Sequence, residues 1–125
     1  MISMTIEQPR IEWSKKSGRQ CLKFTFGENL TARDAATAIV KWKAAFESKK
    51  DEKKIVLVWD CVKMKEYESD ARTQWVGALK EMKPRIDSIW LITDSVLIGM
   101  GASVMGMLSS INIKTVKSES EIIIV

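Results

Sequence analysis

A short apolar run rich in β-branched residues, Ile55 to Trp59, lies in the middle of the chain between two longer amphipathic stretches. Its length is typical of a strand, and its lack of alternation indicates a strand covered on both faces, as in the interior of a parallel sheet. Parallel strands need a crossover connection, and helices on either side of the run can supply it. We therefore predict an α/β chain in which Asp60 marks the end of a central strand.

The two amphipathic stretches have the period of α-helices. The first begins after Thr31, its predicted N-cap, and is expected to end near Ser48. The second runs from about Ser69 to Lys83, and Pro84 stops it. Their apolar faces consist of Ala35, Ala38, Ile39, Trp42, Ala45 and Phe46 in the first helix and of Ala71, Trp75, Leu79 and Met82 in the second.

Three further segments have strand patterns. Alternation of apolar and polar residues from Ile11 to Phe26 predicts an antiparallel hairpin that turns at Lys15-Lys16-Ser17-Gly18. Ile89 to Ile92 and Ile111 to Val116 are predicted strands of the same sheet. The expected fold is a mixed sheet, antiparallel at one edge and parallel inside, with helices packed against it. The length fits a single domain over residues 1–125.

A third helical pattern runs from Val96 to Leu108. It carries five large apolar residues at helical spacing, with glycines, alanine and serine among them: Leu97, Met100, Val104, Met107 and Leu108. Thirteen residues are too few to span a bilayer. We predict a third helix that packs very closely on the sheet and whose methionines occupy ordinary core positions.

The carboxyl-terminal tail follows a capping-box pattern. Ser118 and Glu121 have the spacing of this motif, just before Ile122 to Val125. The tail is therefore expected to form a final helical turn or an edge strand, and we favour the turn.

Charge and the reactive residue types narrow the function. The formal net charge is +4, and the charges are mixed along the chain, including the densest run at Lys49 to Lys54. This pattern argues against nucleic acid as a partner. Cys21 and Cys61 stand far apart in a chain without histidine, so we expect neither a metal site nor a disulfide framework. Met1 to Glu7 lack the features of a secretory signal, and a cytoplasmic protein without an integral membrane segment is expected.

The sequence contains few residues that could act in catalysis. The absence of histidine removes the commonest general base. Carboxylates cluster after the central strand, at Asp60, Glu66, Glu68 and Asp70, and we interpret them as solvated surface rather than as a catalytic or Mg²⁺ site. We expect no enzyme activity, no cofactor and no metal.

Five short motifs carry a resemblance to a known family. They are Gly27-Glu28-Asn29-Leu30-Thr31 before the first helix, Ile55 to Asp60 as a strand ending in Asp, Glu68-Ser69-Asp70-Ala71-Arg72 at the start of the second helix, Arg85-Ile86-Asp87 before the next strand, and Met100-Gly101-Ala102 in the third helix. In this order they resemble the STAS superfamily, in particular its SpoIIAA-like (STAS/SEC14-type) branch. The resemblance runs from about Ile11 to the end and implies a SpoIIAA-like mixed sheet.

The resemblance also implies a function. In family members that act as anti-sigma-factor antagonists, a serine at the start of the second helix is phosphorylated, and Ser69 stands at that place. Asp60, Glu68, Asp70 and Arg72 form the implied partner-binding surface. We therefore predict a regulatory or protein-interaction module with a protein partner of unknown identity. The alternative that Ser69 only caps the helix stays open.

Two other functions remain as alternatives. SEC14-type relatives imply a lipid or another small apolar ligand. Met100, Gly101 and Ser103 are the candidate lining of a ligand pocket at the third helix, although this glycine pattern lacks the dinucleotide and P-loop signatures. We also expect a homodimer, with Trp13, Tyr67 or the apolar tail at its interface.

Overall fold

The computed structural model describes residues 9–51 and 54–124. The segment Met1 to Glu7, the middle of the charged run at Lys49 to Lys54, and Val125 lie outside the described residues. The strands are β1 (Arg10–Lys16), β2 (Arg19–Thr25), β3 (Asn29–Leu30), β4 (Ile55–Asp60), β5 (Glu66–Tyr67), β6 (Ile86–Ile92) and β7 (Ile113–Val116). The helices are α1 (Ala32–Ser48), α2 (Ser69–Met82) and α3 (Val96–Ser109), with short 3₁₀ turns at Lys83–Arg85 and Glu119–Glu121.

Five strands form one mixed sheet in the order β1-β2-β4-β6-β7. β1 pairs antiparallel with β2 across a two-residue turn, and the remaining neighbours are parallel. Ser17 and Gly18 both have positive φ in this turn, the conformation that matches the twist of a tight hairpin. The predicted antiparallel edge and parallel interior are therefore confirmed. A separate pair of two-residue strands, β3 and β5, was not predicted, because two residues are too few to show a period.

The parallel strands follow each other in chain order, so crossovers of one hand place all three helices on the same face of the sheet. Side chains from all three helices meet in a single core with β2, β4 and β6. An aromatic cluster lies at the centre of this core. The ring of Trp75 is 5.2 Å from that of Trp42, 5.7 Å from Phe26, 5.9 Å from Phe24 and 6.1 Å from Trp59. These rings join α1 and α2 to the two strands beneath them.

The opposite face of the sheet has its own apolar cluster, formed by Cys21, Val56, Val58, Trp90 and Ile92. The carboxyl-terminal tail packs here through Ile122 and Ile124. The predicted capping box is formed by Ser118 and Glu121, and a 3₁₀ turn at Glu119–Glu121 lies within it. The predicted helical turn does not extend into the tail, because Ile122 to Ile124 are neither helix nor strand. The tail thus covers sheet surface on the side away from the helices.

Glu119 ties this tail to the hairpin. Its carboxylate accepts hydrogen bonds from Lys16 Nζ at 2.6 Å and Lys23 Nζ at 2.7 Å. The bonds to Lys16 and Lys23 lower the pKa of Glu119, and the bond to Glu119 raises the pKa of Lys23. The stabilising contribution of Glu119 is therefore complete above the ordinary carboxyl pKa of 4.5 and is lost as the pH falls through its lowered folded-state pKa.

The Glu119→Gln variant is expected to unfold more easily at neutral pH, by on the order of 1 kcal/mol for two partly exposed ion pairs. Because the variant lacks the titrating carboxylate, acidification below pH 4.5 should reduce the difference from the wild type. Urea unfolding at several pH values measures both effects. A difference that grows on acidification would contradict this account.

α3 packs on the sheet by the side opposite to the one that was predicted. Its buried residues are Ile98 and three small residues, Ala102, Gly106 and Ser109. The prediction that its methionines occupy core positions is wrong for Met100 and Met107, which are exposed. The small residues allow the close approach: a Cβ at Gly106 would lie 2.7 Å from the carbonyl oxygen of Ile111. Apart from Ile98 and Met105, which pack on the core, the larger apolar side chains are consequently directed away from the sheet.

Candidate protein-binding site

An apolar surface covers the side of α3 that faces away from the sheet. It consists of Val96, Leu97, Met100, Val104, Met107 and Leu108, which are 75%, 77%, 60%, 43%, 80% and 54% exposed. We call these six residues the α3 outer face. The 14 residues of α3 include no charged side chain. Single exposed apolar residues are ordinary, but a contiguous set on one helix is a candidate interaction surface.

The outer surfaces of the other two helices are different. The exposed side of α1 carries Arg33, Lys43 and Glu47, and that of α2 carries Asp70, Arg72, Lys80 and Glu81. Val40, at 69% exposure, is the one large apolar residue among the described residues of α1 that is exposed to this degree. These two surfaces are typical of helices in contact with water. The α3 outer face therefore stands out by both its apolar character and its lack of charge.

Ser69 is exposed and is the first residue of α2. Glu68 occupies the N-cap position, and no side chain makes a capping hydrogen bond there. The alternative that Ser69 caps the helix is therefore wrong. Glu68 instead turns towards α1, where its Oε1 accepts a hydrogen bond from the backbone N–H of Ala32 at 2.6 Å. Its carboxylate thus binds one of the free N–H groups at the start of α1.

The other residues of the predicted partner-binding surface lie near the same edge of the sheet. Asp60 ends β4, and its Oδ1 accepts a hydrogen bond from the backbone N–H of Val62 at 3.2 Å. Asp70 and Arg72 are exposed in the first turn of α2. Asp60 and Glu68 thus have local backbone partners, while Asp70 and Arg72 are open to solvent.

The candidate ligand-pocket residues do not share one pocket. Met100 and Ser103 line an open groove between α3 and β7. Gly101 lies on another side of the helix, where an added Cβ would meet the phenol of Tyr67. Separately, an apolar cavity of about 40 Å³ lies between the sheet, α2 and α3, and is lined by residues that include Trp59, Cys61, Tyr67 and Met105. It is much smaller than the ~150 Å³ that holds a benzene molecule, so it offers no preformed site for a lipid chain.

The two cysteines are poor nucleophiles. Burial, and then the charge of Asp60, raises the pKa of the Cys61 thiol well above its ordinary value. Burial also raises the pKa of Cys21. Both thiols therefore stay protonated near neutral pH. Across residues 9–51 and 54–124, acidic and cysteine side chains form no group of three or more that could hold a metal ion.

The residues predicted for a dimer interface make contacts within the chain. Trp13 is partly buried, and the ammonium of Lys49 lies 5.7 Å from its ring centre. Tyr67 packs against the main core, and Ile122 and Ile124 pack on the sheet. The α3 outer face was not predicted as a surface because five of its six residues, all except Val96, were assigned to the core. None of the helices in the described part of the chain has the length and apolar character needed to cross a membrane.

Comparison with known proteins identifies the fold. No family model and no curated protein matches the chain. Among solved structures, an uncharacterised protein of the DUF3478 family from Shewanella loihica PV-4, which has a SpoIIAA-like fold, superposes with a TM-score of 0.76. The match covers 97% of this chain and 95% of that chain at 13% sequence identity, so it bears on the fold alone. The chain therefore has the SpoIIAA-like fold that its resemblance to the STAS superfamily implied.

Proposed function

We propose that this chain is a protein-binding module rather than an enzyme, and that the α3 outer face is its docking surface. The observation that carries the proposal is the exposure of six apolar side chains on a helix without charge. Full burial of one such side chain is worth about 1.5–3 kcal/mol. A partner that covers the surface would bury these side chains, and their burial would contribute to the free energy of binding.

The state of the reactive residues supports a binding role. Cys21 and Cys61 are buried thiols with raised pKa values, and the chain contains no histidine. Asp60 and Glu68 accept hydrogen bonds from neighbouring backbone N–H groups, as local structural carboxylates do. These features favour binding through a protein surface over catalysis by a reactive side chain.

Ser69 is the proposed site of regulation, by resemblance to anti-sigma-factor antagonists. Its side chain is exposed at the start of α2, where a phosphate would meet free backbone N–H groups and the positive end of the helix dipole. Glu68 directs its carboxylate to α1, which leaves Asp70 as the acidic neighbour on α2 and Arg72 as a nearby cation. Phosphorylation would thus change the charge of the surface formed by Asp60, Glu68, Asp70 and Arg72.

The test is capture of partners from the native host by the tagged full chain, with mass spectrometry of the bound proteins. The wild type should recover a defined protein, and Met107→Glu should lose it, because a charge would be buried in an apolar contact. Val40→Glu is the matched control, since it places the same charge on an exposed valine of α1. Ser69→Glu should alter the amount recovered if Ser69 is a regulatory site.

Circular dichroism should show that all four forms are folded, because the substituted side chains are exposed. Equal recovery by the wild type and Met107→Glu would remove the α3 outer face as the docking surface. If the wild type and Ser69→Glu recovered the same amount of partner, Ser69 would not be a regulatory site. The proposed docking surface would be unaffected by this result.

A further inference from the structure

We infer that the partner which covers the α3 outer face is a second copy of this chain, with the two α3 helices antiparallel across a two-fold axis. This inference rests on the proposed function and names its partner. It starts from the positions of the six exposed residues, which are symmetric about Ala102. Val96 and Leu108 are each six positions from it, Leu97 and Met107 five, and Met100 and Val104 two.

A two-fold axis perpendicular to a helix reverses its direction. If the axis passes at the level of Ala102, Val96 of one copy meets Leu108 of the other. Leu97 then meets Met107, and Met100 meets Val104. The one two-fold rotation therefore places an apolar side chain of the other copy opposite each of the six, as an isologous interface requires.

The six residues also point in one direction. At about 100° per residue, all of them lie within about 60° of the direction opposite Ala102. Ala102 itself is buried against the sheet. The apolar stripe is thus centred on the side from which a second helix can approach, with the sheet behind it.

Charge favours self-association at this helix over the other two. A two-fold contact places a surface near its own copy, so a charged group close to the axis meets a like charge. The outer surfaces of α1 and α2 carry several charged residues, whereas α3 carries none. Among the three helices, α3 is the one whose outer side can meet itself without repulsion.

The size of the surface predicts a dimer of limited affinity. A helix of 14 residues is about 21 Å long. Its outer side alone offers less than the ~800 Å² per partner of a standard interface. We therefore expect monomer and dimer to exchange with concentration in the micromolar range, rather than a permanent dimer.

Sedimentation velocity on the purified full chain over a range of concentrations tests the inference. The wild type and the Val40→Glu control should both form dimers as concentration rises. The double variant Leu97→Glu with Met107→Glu should raise the dissociation constant by at least ~100-fold, because each of the two reciprocal contacts would hold two like charges. The double variant Leu97→Lys with Met107→Glu should keep a measurable dimer, because the antiparallel pair would place opposite charges together.

A wild type that stays monomeric at hundreds of micromolar would overturn the inference. If the capture experiment nevertheless recovered a different protein through the α3 outer face, the proposed function would stand with another partner. If the monomer instead sedimented with anionic phospholipid vesicles, the occupant would be a lipid surface, and the inference would be wrong. Loss of the dimer in both double variants would exclude the antiparallel arrangement.

Discussion

Replacement of Trp75 by alanine is expected to lower the free energy of unfolding by about 3–5 kcal/mol, a large part of the stability of a domain of this size. Trp75 is buried and contacts four other aromatic rings, at centroid distances from 5.2 Å to 6.1 Å. These rings come from β2, β4, α1 and the end of the hairpin, so they cannot all move inward to fill the space of one indole. The cavity left behind therefore adds to the lost transfer free energy.

Equilibrium unfolding in urea, followed by circular dichroism, measures this loss. Val40→Ala removes apolar atoms from an exposed position of α1 and should change stability by no more than about 0.5 kcal/mol. Trp75→Phe keeps an aromatic ring in the cluster, so its loss of stability should lie between those of Val40→Ala and Trp75→Ala. A loss below about 1 kcal/mol for Trp75→Ala would show that the cluster relaxes and that α2 is not held by these rings.

The predicted parts of the fold depended on signals that act locally. Leu22 and Phe24 alternate with polar residues in β2, and the run from Ile55 to Trp59 is apolar throughout in β4. Each pattern has one physical explanation: the first strand has one face in the main core, and the second is covered on both faces. Thr31 caps α1 by accepting a hydrogen bond from the N–H of Asp34, as its residue type predicts.

The orientation of α3 could not be derived in the same way. A helix with charge on one side has a unique way to face the core, but α3 has no charge on either side. Large apolar residues predict the buried side only when the opposite side is polar. Here the small residues Ala102 and Gly106 determine which side of α3 faces the sheet. They let the helix backbone approach the sheet and the segment around Ile111. The α3 outer face could therefore not be recognised as exposed while residue size alone was used to assign burial.

The N-terminus of α2 shows a different limit. Residue type made Ser69 a natural N-cap, yet Glu68 holds that position and its side chain binds α1 instead. The contact between Glu68 and Ala32 joins residues 36 positions apart, so no local rule could reveal it. One consequence is that the Ser69 hydroxyl is left exposed beside the helix end.

The two proposed sites are compatible in one assembly. Ser69 and the start of α3 both follow strands at the carboxyl edge of the sheet. A two-fold axis that reverses α3 also reverses the sheet, so the carboxyl edges of the two copies would point in opposite directions. A dimer through the α3 outer face would thus present two copies of the Ser69 surface at its two ends, each open to a further protein.

Gly106→Ala and Gly77→Ala are expected to have opposite effects on stability, although both replace a glycine inside a helix. Alanine is favoured over glycine in a helix by about 1 kcal/mol. Gly77→Ala should therefore stabilise the protein by up to that amount, because its added methyl group would meet no atom within 4 Å apart from its own stretch of helix. At Gly106 the same methyl group would lie 2.7 Å from the backbone oxygen of Ile111, in the turn that joins α3 to β7.

A backbone atom cannot rotate away as a side chain can, so Gly106→Ala should shift α3 or the turn and destabilise the protein by about 1–3 kcal/mol in spite of the helix preference. Urea unfolding of the two variants and the wild type measures their free energies of unfolding. The preference of alanine over glycine in a helix is common to both variants, so it largely cancels when the two are compared. If both variants were more stable than the wild type, the close contact between α3 and the Ile111 turn would be absent. The small-residue side of α3 would then no longer explain why most of its large apolar residues face outward.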